Sequence, residues 1–135
     1  MARISFSLAI FLLAGMVSPN IGHAADFDCK KASLPSDFVI CSSPALIAAN
    51  EKLANAWLAA GAKLDNDRKA ALLDDQRNWL ENLNQYCGLP DRGKPADFVI
   101  YKSKSCVSDS LKYRTRQLAI ISDCAPTECW EETAL

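Results

Sequence analysis

Residues 72–87 read LLDDQRNWLENLNQYC, and this stretch decides the fold class. Its large side chains recur every three or four positions, which places them on one broad face of an α-helix. Asp65 or Asn66 is suited to cap the start of this helix, and Cys87-Gly88 followed by Pro90 is suited to end it. The predicted inner face carries Leu72, Leu73, Gln76, Trp79, Leu80, Leu83 and Tyr86.

Another helix is predicted just before this one. Ser43 is a good N-cap residue, and Pro44 suits the first helical position. Only a short link around Asn66 joins the two helices, so we expect them to be antiparallel neighbours. The apolar residues of this earlier helix again recur at helical spacing: Leu46, Ala49, Leu53, Trp57, Ala60 and Leu64.

A third helix is predicted over residues 105–121. No stretch of the chain alternates apolar and polar residues as a half-buried strand does. The predicted fold class is therefore all-α, a small antiparallel helical bundle of about three main helices cross-linked by disulfides. The inner stripe of the third helix consists of Val107, Leu111, Arg114 or Thr115, Leu118 and Ile121.

Between the second and third helices, residues 88–104 are predicted to form a loop, because they include two prolines and two glycines. The sequence PADFVI at residues 95–100 echoes PSDFVI at residues 35–40. One copy alone is typical of a short strand or a capped helical turn. The echo is either a chance match or a reused local motif, and a single echo does not indicate a repeat protein.

The first residues have the composition of a targeting signal. Arg3 precedes an apolar run over residues 4–17, and Gly22-His23-Ala24 fits a cleavage site with small residues. The run is short for a membrane span, and a retained anchor is the alternative. We expect the mature protein to be periplasmic or secreted, with no membrane span. The predicted division is a cleaved signal peptide at 1–24, a helical domain at 25–122 and a C-terminal tail at 123–135 with an extra cysteine pair.

Six cysteines follow the predicted cleavage site. An even number of cysteines in an exported chain indicates three disulfides, and six cysteines allow fifteen pairings. Zinc is the alternative explanation for cysteine clusters, but no two cysteines here have the CxxC spacing. We therefore expect no metal and no cofactor.

Catalytic chemistry has little support in the sequence. The only histidine, His23, precedes the predicted cleavage site, so the mature chain lacks the base of a Ser-His-Asp or Cys-His site. The adjacent carboxylates Asp74-Asp75 and Glu131-Glu132 point in different directions if helical, and we interpret them as solvated. The chain is expected not to be an enzyme. A formal net charge of −1 is too small to predict a nucleic-acid partner.

Two tryptophans and one glutamine bear on the helix packing. Trp57 and Trp79 lie on apolar stripes of adjacent helices and are predicted to pack in the core. Gln76 lies on the inward stripe, so it needs a polar partner if it is buried. Arg114 of the third helix is the partner that we predict for it.

Three sequence motifs of this chain resemble the pattern of a known protein family. They are Phe27-Asp28-Cys29 with Ile40-Cys41-Ser42-Ser43-Pro44-Ala45-Leu46, Gln76-Arg77-Asn78-Trp79 with Cys87, and Cys106 with Tyr113-Arg114-Thr115-Arg116-Gln117-Leu118. The pattern is similar to that of the LprI-type lysozyme inhibitor N-terminal domain family, which consists of small exported bacterial proteins. The resemblance covers residues 27–118.

The resemblance implies an all-helical fold with disulfides Cys29–Cys41 and Cys87–Cys106, which leaves Cys124 and Cys129 to pair with each other. It also marks Gln76, Arg77, Trp79 and Arg114 as family-signature residues. This chain departs from the family at two positions. Asn50 stands where the family often has aspartate, and Trp57 stands where it often has tyrosine.

The family also implies a function, the binding and inhibition of a lysozyme or another cell-wall hydrolase. Lysozyme acts through two carboxylates in a cleft. We expect the loop at residues 88–104 to enter that cleft, with Arg92 and Lys94 reaching the carboxylates and Phe98 or Tyr101 packing on its wall. The alternatives are an immunity-type protein against a secreted cell-wall toxin, and an envelope structural or stress-related protein without enzymatic activity.

Overall fold

The computed structural model describes residues 27–124, and all regular structure in this range is helical. A single 3-10 turn at Cys29–Lys31 is followed by α1 (Pro35–Cys41), α2 (Pro44–Lys63), α3 (Asn66–Tyr86) and α4 (Asp97–Asp123). The predicted all-α class is confirmed. The predicted signal peptide and Cys129, the expected partner of Cys124, lie outside the described residues.

Local chemistry explains where the helices start and stop. Asp65 caps α3 by accepting a hydrogen bond from the Arg68 backbone N–H at 2.9 Å. At α1 the bond runs the other way, since Asp37 in the first turn accepts from the backbone N–H groups of Ser33 and Leu34, which precede the helix. α3 ends where predicted, because Gly88 adopts a left-handed φ of 66° and the Leu89 N–H returns to the Asn84 carbonyl at 2.8 Å.

The prediction for the third helix was wrong at its start. α4 begins at Asp97 rather than at residue 105, so the loop is only residues 88–96. Pro95 is buried, and Ala96 after it has the extended backbone of an N-cap residue, so the helix starts at Asp97. Ile100 and Ser103 are buried and continue the inner stripe of α4 towards its N-terminus. The polar composition of residues 102–105 concealed this stripe.

Both copies of the echoed hexapeptide start a helix. α1 begins at Pro35 itself, whereas α4 begins two residues after Pro95, at Asp97. Of the two structures considered for the hexapeptide, the capped helical turn is therefore correct and the strand is wrong. The shared outcome favours a reused helix-start motif over a chance match.

The core lies along the contact between α2 and α4, which is the most extensive contact of any two described helices. The Lys104 ammonium, in the second turn of α4, donates to the Ser42 carbonyl at 3.5 Å, just before α2. Further along, Leu111 of α4 lines the same cavity as Leu53 of α2, so the two helices run in the same direction. α1 packs against both helices through Val39 and Ile40. The buried residues at this seam are Leu46, Leu53 and Ala60 of α2 with Val107, Leu111, Leu118 and Ile121 of α4.

α3 runs antiparallel to α2 and α4 and is much less buried. Only Leu72 and Leu83 of this helix are fully buried. Leu73 is 41% exposed and Tyr86 is 82% exposed, so the prediction that both lie on the inner face was wrong. Trp57 and Trp79 are half-buried and pack against the core from its edge. α3 is therefore held to the bundle by a few large side chains.

Candidate functional site

The most constrained irregular segment is the loop between α3 and α4, residues 88–96. The disulfide Cys87–Cys106 closes it against α4, and the Ser103 hydroxyl donates to the Cys87 carbonyl at 3.1 Å. Leu89 and Pro95 are buried near its two ends. Gly93 adopts a φ of 80°, which a residue with a side chain rarely tolerates. The loop backbone is therefore fixed at both ends and at its turn.

Arg92 and Lys94 lie on this loop, as predicted, and both are exposed. Neither makes an ion pair or hydrogen bond within the described residues. Asp91 is exposed beside them, and Asp97 is exposed at the first position of α4. The loop thus presents two cations whose hydrogen-bond donors are available to a partner.

Phe98 and Tyr101 do not lie on the loop, in contrast to the prediction. They occupy the first two turns of α4 and are 66% and 77% exposed. Because they are three residues apart on a helix, they share one side of it. We call residues 88–96 together with Phe98 and Tyr101 the loop end. It combines a fixed cationic loop with a pair of exposed aromatic rings on the helix that follows.

The family-signature residues form a separate cluster between α3 and α4. Arg114 is only 5% exposed, and its Nε donates to the Gln76 Oε1 at 2.8 Å, which confirms the predicted hydrogen bond. The same guanidinium forms an ion pair with Asp75 and donates to Gln117 at 3.3 Å. It also lies 5.9 Å from the centre of the Trp79 ring, within the range of a cation–π contact.

Asp75 is the member of this cluster that sequence reasoning missed. It was interpreted as a solvated carboxylate, yet it is an ion-pair partner of Arg114. Its spacing carried a signal, since Asp75 lies three residues after Leu72 and four before Trp79 and so shares their side of the helix. Asp75 remains 58% exposed and therefore keeps part of its hydration.

Arg77 stands apart from the other signature residues. Its guanidinium lies 3.2 Å from the Asp74 carboxylate, and both side chains are largely exposed. An exposed pair of this kind adds little to stability. Arg77 is therefore not brought together with Gln76, Trp79 and Arg114.

The two departures from the family pattern meet in one cleft. Asn50 and Trp57 of α2 line a cavity of about 370 Å³ between α1, α2 and α3. Gln76 and Trp79 line its α3 side. The cleft exists because α3 stands off from the α2–α4 seam.

The disulfides match the pairing that the resemblance implies. Cys29 is bonded to Cys41, and Cys87 is bonded to Cys106. Within residues 27–124 no group of histidine, cysteine, aspartate or glutamate side chains is placed to hold a metal ion. In the same range no helix has both the length and the apolar character needed to cross a bilayer.

Comparison with known proteins gives one match. No curated protein and no solved structure matches the sequence. A family described as "Lysozyme inhibitor LprI" matches residues 29–118, which is two thirds of the chain and includes both described disulfides, the loop end and the Arg114 cluster. With the all-helical fold and this match together, the chain belongs to the LprI lysozyme inhibitor family.

Proposed function

We propose that this protein inhibits a lysozyme-type muramidase by inserting its loop end into the catalytic cleft. The single observation that carries the proposal is the disulfide-clamped loop with Arg92 and Lys94 exposed on it. The family match supports the class of target.

Rigidity of the loop supports this mode of binding. A loop that is already ordered loses little conformational entropy when it binds, so more of the contact energy appears as affinity. Leu89, Pro95 and the Cys87–Cys106 bond fix the loop in the free protein. The loop end therefore needs no folding step before it meets its target.

Charge and shape at the loop end suit a glycosidase cleft. The two catalytic carboxylates of such an enzyme attract cations, and one of them must stay ionised for the reaction. Arg92 or Lys94 in contact with that carboxylate would form a charge-assisted hydrogen bond and block its access to substrate. Phe98 and Tyr101 would cover apolar surface beside the cleft, as exposed aromatic rings commonly do at protein interfaces.

The place of action follows from the same features. Lysozyme attacks the cell wall, so an inhibitor must act outside the cytoplasm. Disulfides persist in oxidising compartments such as the periplasm. We therefore place the functional protein in the periplasm or outside the cell.

The test is a lysis assay with purified lysozyme and the oxidised protein. The wild type is expected to slow lysis in a dose-dependent way. Arg92→Ala with Lys94→Ala should raise the half-inhibitory concentration at least tenfold, because each lost bond to a carboxylate is worth roughly 1.5–3 kcal/mol.

The matched control is Lys63→Ala with Arg116→Ala, which removes the same charge from exposed positions away from the loop end. Inhibition by this control should equal that of the wild type. Full lysis in the presence of excess wild-type protein, with lysozymes of several sequence types, would refute the proposal.

A further inference from the structure

A second concave surface lies between α3 and α4, separate from Arg92 and Lys94. It has a volume of about 690 Å³. We call it the aromatic groove. It is lined by Trp79, Tyr86, Lys102, Ser105, Cys106, Asp109, Ser110 and Tyr113.

The groove follows from helix geometry. On α4, Lys102, Cys106, Asp109 and Tyr113 recur every three or four residues and so form one stripe. Trp79 and Tyr86 are seven residues apart on α3 and share one side of that helix. The stripe from Lys102 to Tyr113 is about 16 Å long at the rise of an α-helix. The Cys87–Cys106 disulfide ties the two walls together.

The aromatic rings of the groove are open to solvent. Tyr86 is 82% exposed and Tyr113 is 57% exposed. Trp79, between them and the core, is held by the Arg114 guanidinium. Large aromatic side chains in an exposed concavity are typical of a binding surface, because a bound partner would remove their apolar rings from water.

The polar residues of the groove narrow the class of ligand. Ser105 and Ser110 offer hydroxyls, Lys102 contributes a cation, and the Asp109 carboxylate forms an ion pair with Lys112 at 3.8 Å. With one carboxylate among two cations, the groove lacks the row of unpaired cations that a nucleic-acid backbone requires. The polar wall also does not suit an acyl chain, which needs apolar surroundings.

Sugars have both an apolar face and a polar rim, which match the aromatic and the polar residues of the groove. A pyranose ring has an apolar face of C–H groups, which stacks on the electron-rich face of an aromatic ring. Its rim carries hydroxyls that both donate and accept hydrogen bonds. We propose that the aromatic groove binds a glycan strand, with pyranose rings on Tyr86 and Tyr113 and polar contacts to Ser105, Asp109 and Lys102.

This site is independent of the proposed inhibition. If both hold, the protein binds the wall polymer through the aromatic groove and an enzyme through the loop end. A glycan-bound inhibitor would be concentrated on the surface that a muramidase attacks.

The test measures binding of chitin hexasaccharide by calorimetry and co-sedimentation with purified insoluble peptidoglycan. Tyr86→Ala and Tyr113→Ala should each weaken binding at least tenfold. Ile120→Ala is the control, since Ile120 is also a large exposed side chain of α4 but lines neither the groove nor the loop end. Its binding should equal that of the wild type. Far-ultraviolet circular dichroism will verify that each variant keeps its helices.

Three results would overturn the proposal. The first is the absence of wild-type binding to both glycans. The second is equal weakening of glycan binding by Ile120→Ala. The third is loss of lysozyme inhibition without loss of glycan binding in the Tyr86 and Tyr113 variants, which would make the groove a protein contact. The Arg92→Ala, Lys94→Ala variant separates the two proposals, because it should lose inhibition and still bind glycan.

Discussion

Helices α2 and α4 pack closely against each other, whereas α3 packs loosely against the same bundle. The seam joins leucine, valine and alanine side chains, and Val107, Leu118 and Ala60 have no exposed surface. α3 buries two leucines and otherwise meets the bundle through Trp79 and the Arg114 cluster. The cleft and the groove both lie beside α3, where it stands away from α2 and α4. Stability thus comes mainly from the seam, whereas both concave surfaces form where α3 faces its neighbours, and α4 contributes to all of them.

The strongest test of this comparison is truncation of one leucine on each side. Leu118→Ala should lower the free energy of unfolding by about 2–5 kcal/mol, because it leaves a cavity in the seam. Leu73→Ala on α3 should lower it by about 1 kcal/mol or less, since that side chain is already partly exposed. Urea unfolding of both variants measures the difference. Equal losses would show that α3 is packed as closely as the seam.

Removing either of the two described disulfides should lower stability by a similar amount. The two removals should differ in how much they weaken inhibition. They span sequence separations of 12 and 19 residues, so removal of either should destabilise by about 3 kcal/mol. Loss of Cys87–Cys106 by double serine substitution also frees the loop end. It should weaken lysozyme inhibition much more than loss of Cys29–Cys41 does. Matched inhibition by the two variants would mean that loop rigidity is irrelevant.

Arg114 tests how α3 is attached. Arg114→Met keeps most of the packing of the side chain but removes its bonds to Gln76 and Asp75. The expected loss is about 1–2 kcal/mol, because Asp75 is partly exposed and stays hydrated afterwards. Arg77→Met, which breaks only an exposed pair, should change stability by less than about 0.5 kcal/mol. A larger effect at Arg77 than at Arg114 would contradict the assignment.

Trp57 gives a last comparison, in the cleft beside α3. Trp57→Tyr introduces the residue that the family often has, and the cleft gives the smaller ring room to settle. The free energy of unfolding should fall by less than about 1.5 kcal/mol. Trp57→Ala should cost about 3 kcal/mol, because no ring then fills the edge of the core. If the tyrosine variant is as unstable as the alanine variant, Trp57 packs more specifically than its half-buried position indicates.

Sequence reasoning identified the helices that carry periodic apolar residues and failed where the pattern was polar. α2 and α3 were predicted nearly to the residue, because Pro44, Asp65 and Gly88 mark their ends. The start of α4 was missed because residues 102–105 mask an inner stripe that depends on Ile100 and Ser103.

The Arg114 cluster was predictable where a buried polar side chain required a hydrogen-bond partner. Gln76 on the inner face of α3 needed a hydrogen-bond donor, and Arg114 on the inner stripe of α4 supplies it. The aromatic groove was not predicted, because it depends on how far α3 stands from α4. Periodicity reports which side of a helix is apolar but not the distance between helices. For that reason Tyr86 was placed with the inner residues, although it is almost fully exposed.

Both described disulfides lie toward the same end of the bundle. Cys41 closes α1 just before Ser42, whose carbonyl lies near Lys104, and Lys104 is two residues from Cys106. The link between α2 and α3 at Leu64 and Asp65 lies at the opposite end, and neither the Cys29–Cys41 nor the Cys87–Cys106 bond reaches it. Thermal fraying of this link should therefore begin before that of the loop between α3 and α4. Amide hydrogens near residue 64 should exchange with solvent sooner than those near Cys106, and the loop would keep its shape while the distant turns open and close.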